Sequence, residues 1–181
     1  FAVNKPGFIE IHRLGTFPAR SLDIDVVFDL MIHDLDLVLS IVDSPIEAIE
    51  AVGVPVLTDR ADIANARIRF ASGCVANITA SRISRDRVRK IRFFQRDAYI
   101  SIDCGAKEAE VYRLVRQPGQ RPLIEGGSIP VVDSEPLRSE LEDFVAAVRD
   151  GRQPVVGGVD GRNAVRLAEQ ITERMAACTR I

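Results

Sequence analysis

Cysteine and histidine are scarce in this 181-residue chain, which has three cysteines (Cys74, Cys104 and Cys178) and two histidines (His12 and His33). The cysteines are odd in number and no two have C-x-x-C spacing. That argues against a disulfide framework or a zinc finger and fits a reducing, cytoplasmic compartment. Neither sign of charge is in excess: Lys+Arg 24 against Asp+Glu 26 leaves −2, so no bulk charge draws the chain to nucleic acid or an acidic membrane. No apolar run approaches the roughly 20 residues of a membrane span, and no basic-then-apolar leader is present. Repeats, low-complexity tracts and linkers are absent. G-x-S-x-G is missing, which weakens any nucleophilic-triad reading, and so is the G-x-G-x-x-G of a dinucleotide-binding unit. Gly157-Gly158-Val159-Asp160-Gly161 lacks that spacing and reads as a helix-capping turn. The chain opens on Phe1 rather than Met and is expected to be part of something longer.

What is there suffices for one ordinary domain. A chain of this size buries about 70% of its unfolded surface, enough for a core without staples. Phe8 to Leu14 reads as a strand, and Ile46 to Val56 as a second extended stretch. Ala64, Ala66, Ile68 and Phe70 alternate with polar residues, Ala71-Ser72-Gly73 turns the chain, and Cys74, Ala76, Ile78 and Ala80 alternate in their turn. Period two on both sides of a Gly-containing turn is a hairpin with one buried face. Lys90 to Phe94, Ala98 to Asp103 and Glu108 to Val115 continue the β-rich block, while Gln117 to Pro130 reads as a surface loop. The period then changes. Leu137, Leu141, Phe144, Val145 and Val148 form one helical stripe that Gly151 ends. Asp160 can cap a last helix whose buried side is Ala164, Leu167, Ala168, Ile171, Met175 and Cys178. The expected fold is α+β: a mostly antiparallel open sheet of six to seven strands with helices on one face. The uncovered face is expected to pair with a second copy.

The chemistry concentrates in Asp25 to Leu39. On a helix, Asp29, His33, Asp36 and Ser40 make a single polar stripe on an otherwise apolar cylinder, which should be buried. Buried ionisable groups need partners, and Asp29 and Asp36 both reach the neighbourhood of His33. A carboxylate beside an imidazole fixes its tautomer and suits an acid/base near neutral pH. The competing reading is a core histidine satisfied by Asp29, with Asp34 and Asp36 solvated. His33-Asp34 also spells the dipeptide of metal-dependent phosphohydrolases. Those enzymes are all-helical and need more histidines, so no metal is expected. Arg82, Arg85, Arg87, Arg89, Lys90, Arg92 and Arg96 form a basic run. It reads as a solvated loop and strand edge or as an anion site, and Ser81 and Arg82 stand where a strand end presents ligand groups.

Asp29-Leu30-Met31-Ile32-His33-Asp34-Leu35-Asp36 resembles the D-x-G-x-H-x-x-D signature of the C-terminal domain of the Gfo/Idh/MocA oxidoreductases. The Arg67–Phe70 and Gly73–Ala76 hairpin, the segment from Pro136 to Val155 and the Asp160–Ala164 helix start extend the resemblance over essentially the whole chain. The resemblance implies a chain 1–181 that forms the substrate-binding and oligomerising domain, with NAD or NADP bound mainly by an N-terminal Rossmann domain not present here. It implies a sugar, polyol or nucleotide-sugar substrate, a homodimer or homotetramer through the sheet, and Asp29 and His33 as the catalytic pair. Asp36 matches the last acid of the signature. Arg82, Ser81, Asp36, His12 and Arg13 are candidate substrate contacts. Two departures, Asp23-Ile24-Asp25 in place of glycines and Met31 in place of the signature Gly, reshape the pocket. They weigh against a simple polyol, and the preferred expectation is a subgroup similar to nucleotide-sugar dehydrogenases acting at C3 of a UDP-N-acetylhexosamine. By itself the 181-residue chain is expected to fold without binding NAD or turning over substrate. The alternatives are a non-catalytic sugar-binding or dimerisation module and, more remotely, the phosphohydrolase.

Overall fold

The computed structural model describes residues 3–19, 21–132 and 134–178. Among them are eight strands and three α-helices: β1 (Phe8–Leu14), α1 (Ile32–Ile41), β2 (Ile46–Val54), β3 (Ile63–Phe70), β4 (Val75–Ser81), β5 (Val88–Gln95), β6 (Ala98–Asp103), β7 (Glu108–Val115), β8 (Leu123–Ile129), α2 (Pro136–Asp150) and α3 (Gly158–Cys178). The strands form one open sheet in the order β2-β3-β4-β1-β5-β6-β7-β8. The β1–β4 pair is parallel, and every other pair is antiparallel.

Alternation decides which face is which. Ile9 and Ile11 of β1 stand in register with Phe93 and Ile91 of β5 and with Ala76 and Ile78 of β4. All six are buried, and they form one core with Leu35 and Val38 of α1 and with Leu167, Ala168, Ile171 and Met175 of α3. The opposite face carries no helix. There Phe8, Phe94, Tyr99 and Tyr112 lie side by side across four strands, with ring centroids 5.6, 5.1 and 6.3 Å apart in sequence of contact. Among the described residues no helix is long and apolar enough to cross a membrane.

Three expectations need amending. The sheet has eight strands because Leu123–Ile129, expected in a loop, pairs with β7. As an edge strand it has one neighbour and exposes Leu123 and Ile124, so no alternation marks it. The basic run lies on and before β5, an interior strand, rather than on an edge. The helix expected from Leu137 to Val148 forms, capped by the Glu135 carboxylate at its start and by Gly151 in the left-handed region (φ 65°) at its end. Its apolar stripe, however, is uncovered: Leu137, Leu141, Phe144, Val145 and Val148 are all exposed. Ala164, Leu167, Ala168, Ile171 and Met175 of α3 are buried as expected, while the side chain of Cys178 lies outside the described residues.

Where β4 ends, its buried alternation of Ala76, Ile78 and Ala80 continues into Arg82, which is itself fully buried. The guanidinium donates to Asp62 Oδ1 at 2.8 Å, to the carbonyls of Ser21 and Ile24, and to Thr58 Oγ1. Burial alone would raise the Asp62 carboxyl. The Leu57 N–H, the Arg82 guanidinium, the Val56 N–H and the Thr58 hydroxyl together outweigh it and hold the group well below the usual carboxylate range. Removing one partner of such a pair costs about 3–5 kcal/mol, because the other charge stays buried. Asp62→Asn is therefore expected to lower the denaturant midpoint strongly at pH 7. Because the folded value is depressed, the gap to wild type should hold down to about pH 4 and narrow below it as Asp62 of the unfolded wild-type chain takes up a proton. A midpoint within error of wild type at pH 7 would contradict this.

Candidate functional site

The end of β1 is where the topology opens a crevice. β1 and β4 run parallel and finish together at Leu14 and Ser81. The chain leaves β1 for the helical face, whereas after β4 it crosses the end of β1 to begin β5. Between these diverging segments lies a cleft of about 670 Å³, bordered by Arg13, Gly15, Asp29, His33, Arg87 and Arg89 among others, and closed on one side by Pro136, Leu137 and Glu140 of α2. That volume lies within the roughly 300–1,000 Å³ of small-molecule sites.

Asp29 and His33 reach the cleft through an irregular helix start. Residues Val27–Met31 form a π-helical turn in which the Ile32 N–H donates to the Val27 carbonyl, and α1 follows directly. Single π turns recur at functional sites because they re-aim side chains that a regular helix would stack. Asp25 anchors the turn: its carboxylate accepts from the Ala61 N–H and its carbonyl from Phe28 and Asp29. Val27 and Met31 point into the core, while Asp29 is half-buried and His33 exposed at the cleft.

The buried acid of this segment is Asp34, not the expected Asp29–His33 pair. His33 is exposed, and among the described residues neither its ring nor the Asp29 carboxylate makes a hydrogen bond in this structure. Asp34, solvated in the competing reading, is 1% exposed. It receives Arg13 Nε at 2.7 Å and Arg13 Nη2 at 2.6 Å, a bidentate pair. The hydrogen-bonded carboxylate holds the Arg13 guanidinium above its ordinary value against the opposing effect of burial. The pair ties the end of β1 to the first turn of α1, one residue from His33.

The remaining candidates fall in different places. Arg13 borders the cleft, but its fork is held by Asp34. Arg82 borders it too, yet it is fully buried and engaged with Asp62. The expectation that it meets substrate gives way to a role in holding the wall. Ser81 is buried, its hydroxyl accepting from the Ile83 N–H and the Ser84 hydroxyl. His12 alternates with Ile11 and Arg13 along β1, so it projects from the helix-free face, away from the cleft. Asp36 is half-buried on α1 and does not border the cleft. Sequence reasoning missed Glu140, and it weighted Arg82 above Arg87 and Arg89. Among the described residues no three His, Cys, Asp or Glu side chains converge as metal ligands would.

An open, mostly antiparallel sheet with helices on one face and a cleft at the end of its first strand defines the class of domain. Comparison places it. A family profile for the GFO/IDH/MocA C-terminal domain matches residues 17–101. The UDP-N-acetylglucosamine 3-dehydrogenase of Acidithiobacillus ferrooxidans is 40% identical over 169 residues, which is 92% of this chain and 53% of that protein. A solved structure of that enzyme superposes with a TM-score of 0.86 at 36% identity, covering 96% of this chain and 55% of its own. An NAD-binding protein from Listeria innocua, at 19% identity, shares the fold with a TM-score of 0.77 over 95% of this chain and 53% of its own. The chain belongs to the Gfo/Idh/MocA family, as its C-terminal domain. It spans about half the length of the relatives it matches.

If Arg13–Asp34 sets the helix on the strand, breaking it should loosen both. Asp34→Ala leaves a largely buried guanidinium unpaired and is expected to cost about 3 kcal/mol or more in chemical denaturation. The double variant Arg13→Met/Asp34→Leu should regain most of that loss. A single variant as stable as wild type would show that the pair does not hold α1.

Proposed function

We propose that this chain is the substrate-binding and catalytic half of an NAD- or NADP-dependent oxidoreductase that acts on a nucleotide sugar, with UDP-N-acetylglucosamine oxidised at C3. The observation that carries the reading is the meeting of Asp29 and His33 in one cleft of ligand size. Its support is a relative of that activity that is 40% identical across nearly the whole chain.

Oxidation of a secondary alcohol takes a hydride from carbon and a proton from oxygen. The chain has no G-x-G-x-x-G strand–turn–helix, so its own residues do not fit a dinucleotide, and the cofactor belongs to the other half of the protein. What these residues supply is the proton's destination. His33, the exposed imidazole at the cleft, accepts a hydrogen bond from the reacting hydroxyl and takes its proton, a role suited to a group whose ordinary pKa lies near neutrality. Asp29, across the π turn, orients the ring or a neighbouring sugar hydroxyl once substrate fills the cleft. Apo geometry of this kind commonly tightens on binding. The exposed stripe of α2 fits a two-domain protein. Its first turn borders the cleft, so a cofactor-binding half packed on the stripe would bring its cofactor to the mouth of the cleft. We further propose that the aromatic face of the sheet, Phe8, Phe94, Tyr99 and Tyr112, is the surface on which a second copy packs.

In the complete two-domain enzyme, His33→Ala should lower kcat about 10²- to 10⁴-fold, the usual worth of a positioned acid/base, with NAD affinity unchanged. Unchanged turnover would return the chain to a non-catalytic sugar-binding module. For the sheet, Phe94→Arg should convert a dimer to monomer in light scattering. A wild-type mass that stays monomeric at every concentration would remove the interface.

A further inference from the structure

The cleft holds four arginines, and they are not equivalent. Arg13 is neutralised by Asp34 and Arg82 by Asp62. Arg87 and Arg89 are exposed, border the cleft, and among the described residues their side chains have neither an ion pair nor a hydrogen bond. Their placement is set by the sheet. Arg89 stands directly opposite Arg13 in the β1–β5 ladder, so both project from the face that carries α1. Arg87 lies two residues earlier, at the mouth of the same cleft. Like charges directly opposed on neighbouring strands repel. Asp34 offsets only one of the three, and the acids that border the cleft, Asp29 and Glu140, come from the helical side. The cleft is thus divided: an imidazole and carboxylates on the helical wall, and two uncompensated guanidinium groups on the strand side.

We propose that Arg87 and Arg89 form a diphosphate subsite that holds the nucleotide end of the substrate while its sugar lies against His33 and Asp29. This rests on the reading of the cleft as a nucleotide-sugar site and assigns its specificity. A planar fork matches phosphate oxygens bidentately, and two forks side by side match a diphosphate. A sugar without phosphates leaves their repulsion uncompensated, so the pair selects nucleotide sugars over free sugars. A nicotinamide dinucleotide also carries a diphosphate. The two arginines are assigned to the substrate's diphosphate.

The test is calorimetric titration of the complete protein with UDP and, separately, with NAD, using wild type, Arg87→Gln/Arg89→Gln and Arg87→Lys/Arg89→Lys. Both residues are exposed, and equal melting temperatures confirm that the variants fold. Wild type should bind UDP, the Gln pair should weaken that binding at least tenfold, the Lys pair should fall between, and NAD binding should change less than twofold throughout. UDP affinity that survives in the Gln pair, or wild type that fails to bind UDP, overturns the subsite. Loss of NAD affinity in the Gln pair overturns it as well, by giving the arginines to the cofactor. Because UDP lacks the hexose that is oxidised, these results stand apart from turnover by His33→Ala. That variant decides the catalytic reading whether or not the arginines hold a diphosphate.

Discussion

The bidentate contact between Arg13 and Asp34 fixes the geometry on which the rest depends. A strand and a helix that only packed Ile9 and Ile11 against Leu35 and Val38 could slide by a fraction of a turn at little cost, since apolar contacts are non-directional. Two short charge-assisted hydrogen bonds from a planar fork admit one relative placement. Asp34 follows His33 in the chain, so the same bond that registers α1 on β1 directs the imidazole towards the cleft at the end of β1. The buried pair is a device for position more than for net stability, because desolvating both charges offsets much of their attraction.

The second buried pair does the same for the opposite wall. Arg82 gathers Asp62, Thr58 and the carbonyls of Ser21 and Ile24. It thereby pins the segment leading into the π turn to the end of β4. Two ion pairs thus brace the crevice that diverging connections open, and among the described residues the groups left free at it are the ones with chemistry to offer: an imidazole, the carboxylates of Asp29 and Glu140 and two guanidinium groups. This division explains why a cleft so rich in arginine can still present acid/base groups to a ligand.

Much of this was legible in the residues. Strict alternation located β1, β3 and β4, and a change to helical period located α2 and α3, because half-buried elements imprint their period on the sequence. The edge strand Leu123–Ile129 left no such imprint, because it is exposed over most of its length and only Ile129 packs against the core. The stripe on α2 is a different case: the period was right and the burial was not, since an apolar stripe announces a partner without saying whether this chain contains it. At the site, the signature around His33 led to a helix that borders the cleft, yet the buried acid is Asp34. A signal was available. Arg13 continues the buried alternation of Ile9 and Ile11, and Arg82 continues that of Ala76, Ile78 and Ala80. Both of these arginines are paired and structural. Arg89 extends the buried face of Ile91 and Phe93 in the same way and yet is exposed, so the pattern nominates charges and the partner decides between them: Asp34 and Asp62 engage two, and among the described residues no acid pairs with Arg87 or Arg89. The π turn carried no mark in composition, and with it went the expectation of a stacked Asp29–His33 pair.

The most direct measurement is a crystal structure of the complete protein with UDP-N-acetylglucosamine bound. The C3 hydroxyl is expected within about 3.2 Å of a ring nitrogen of His33, with Arg13 still on Asp34 beneath it. A sugar bound elsewhere, or lying in the cleft with its hydroxyls out of reach of the imidazole, would contradict it.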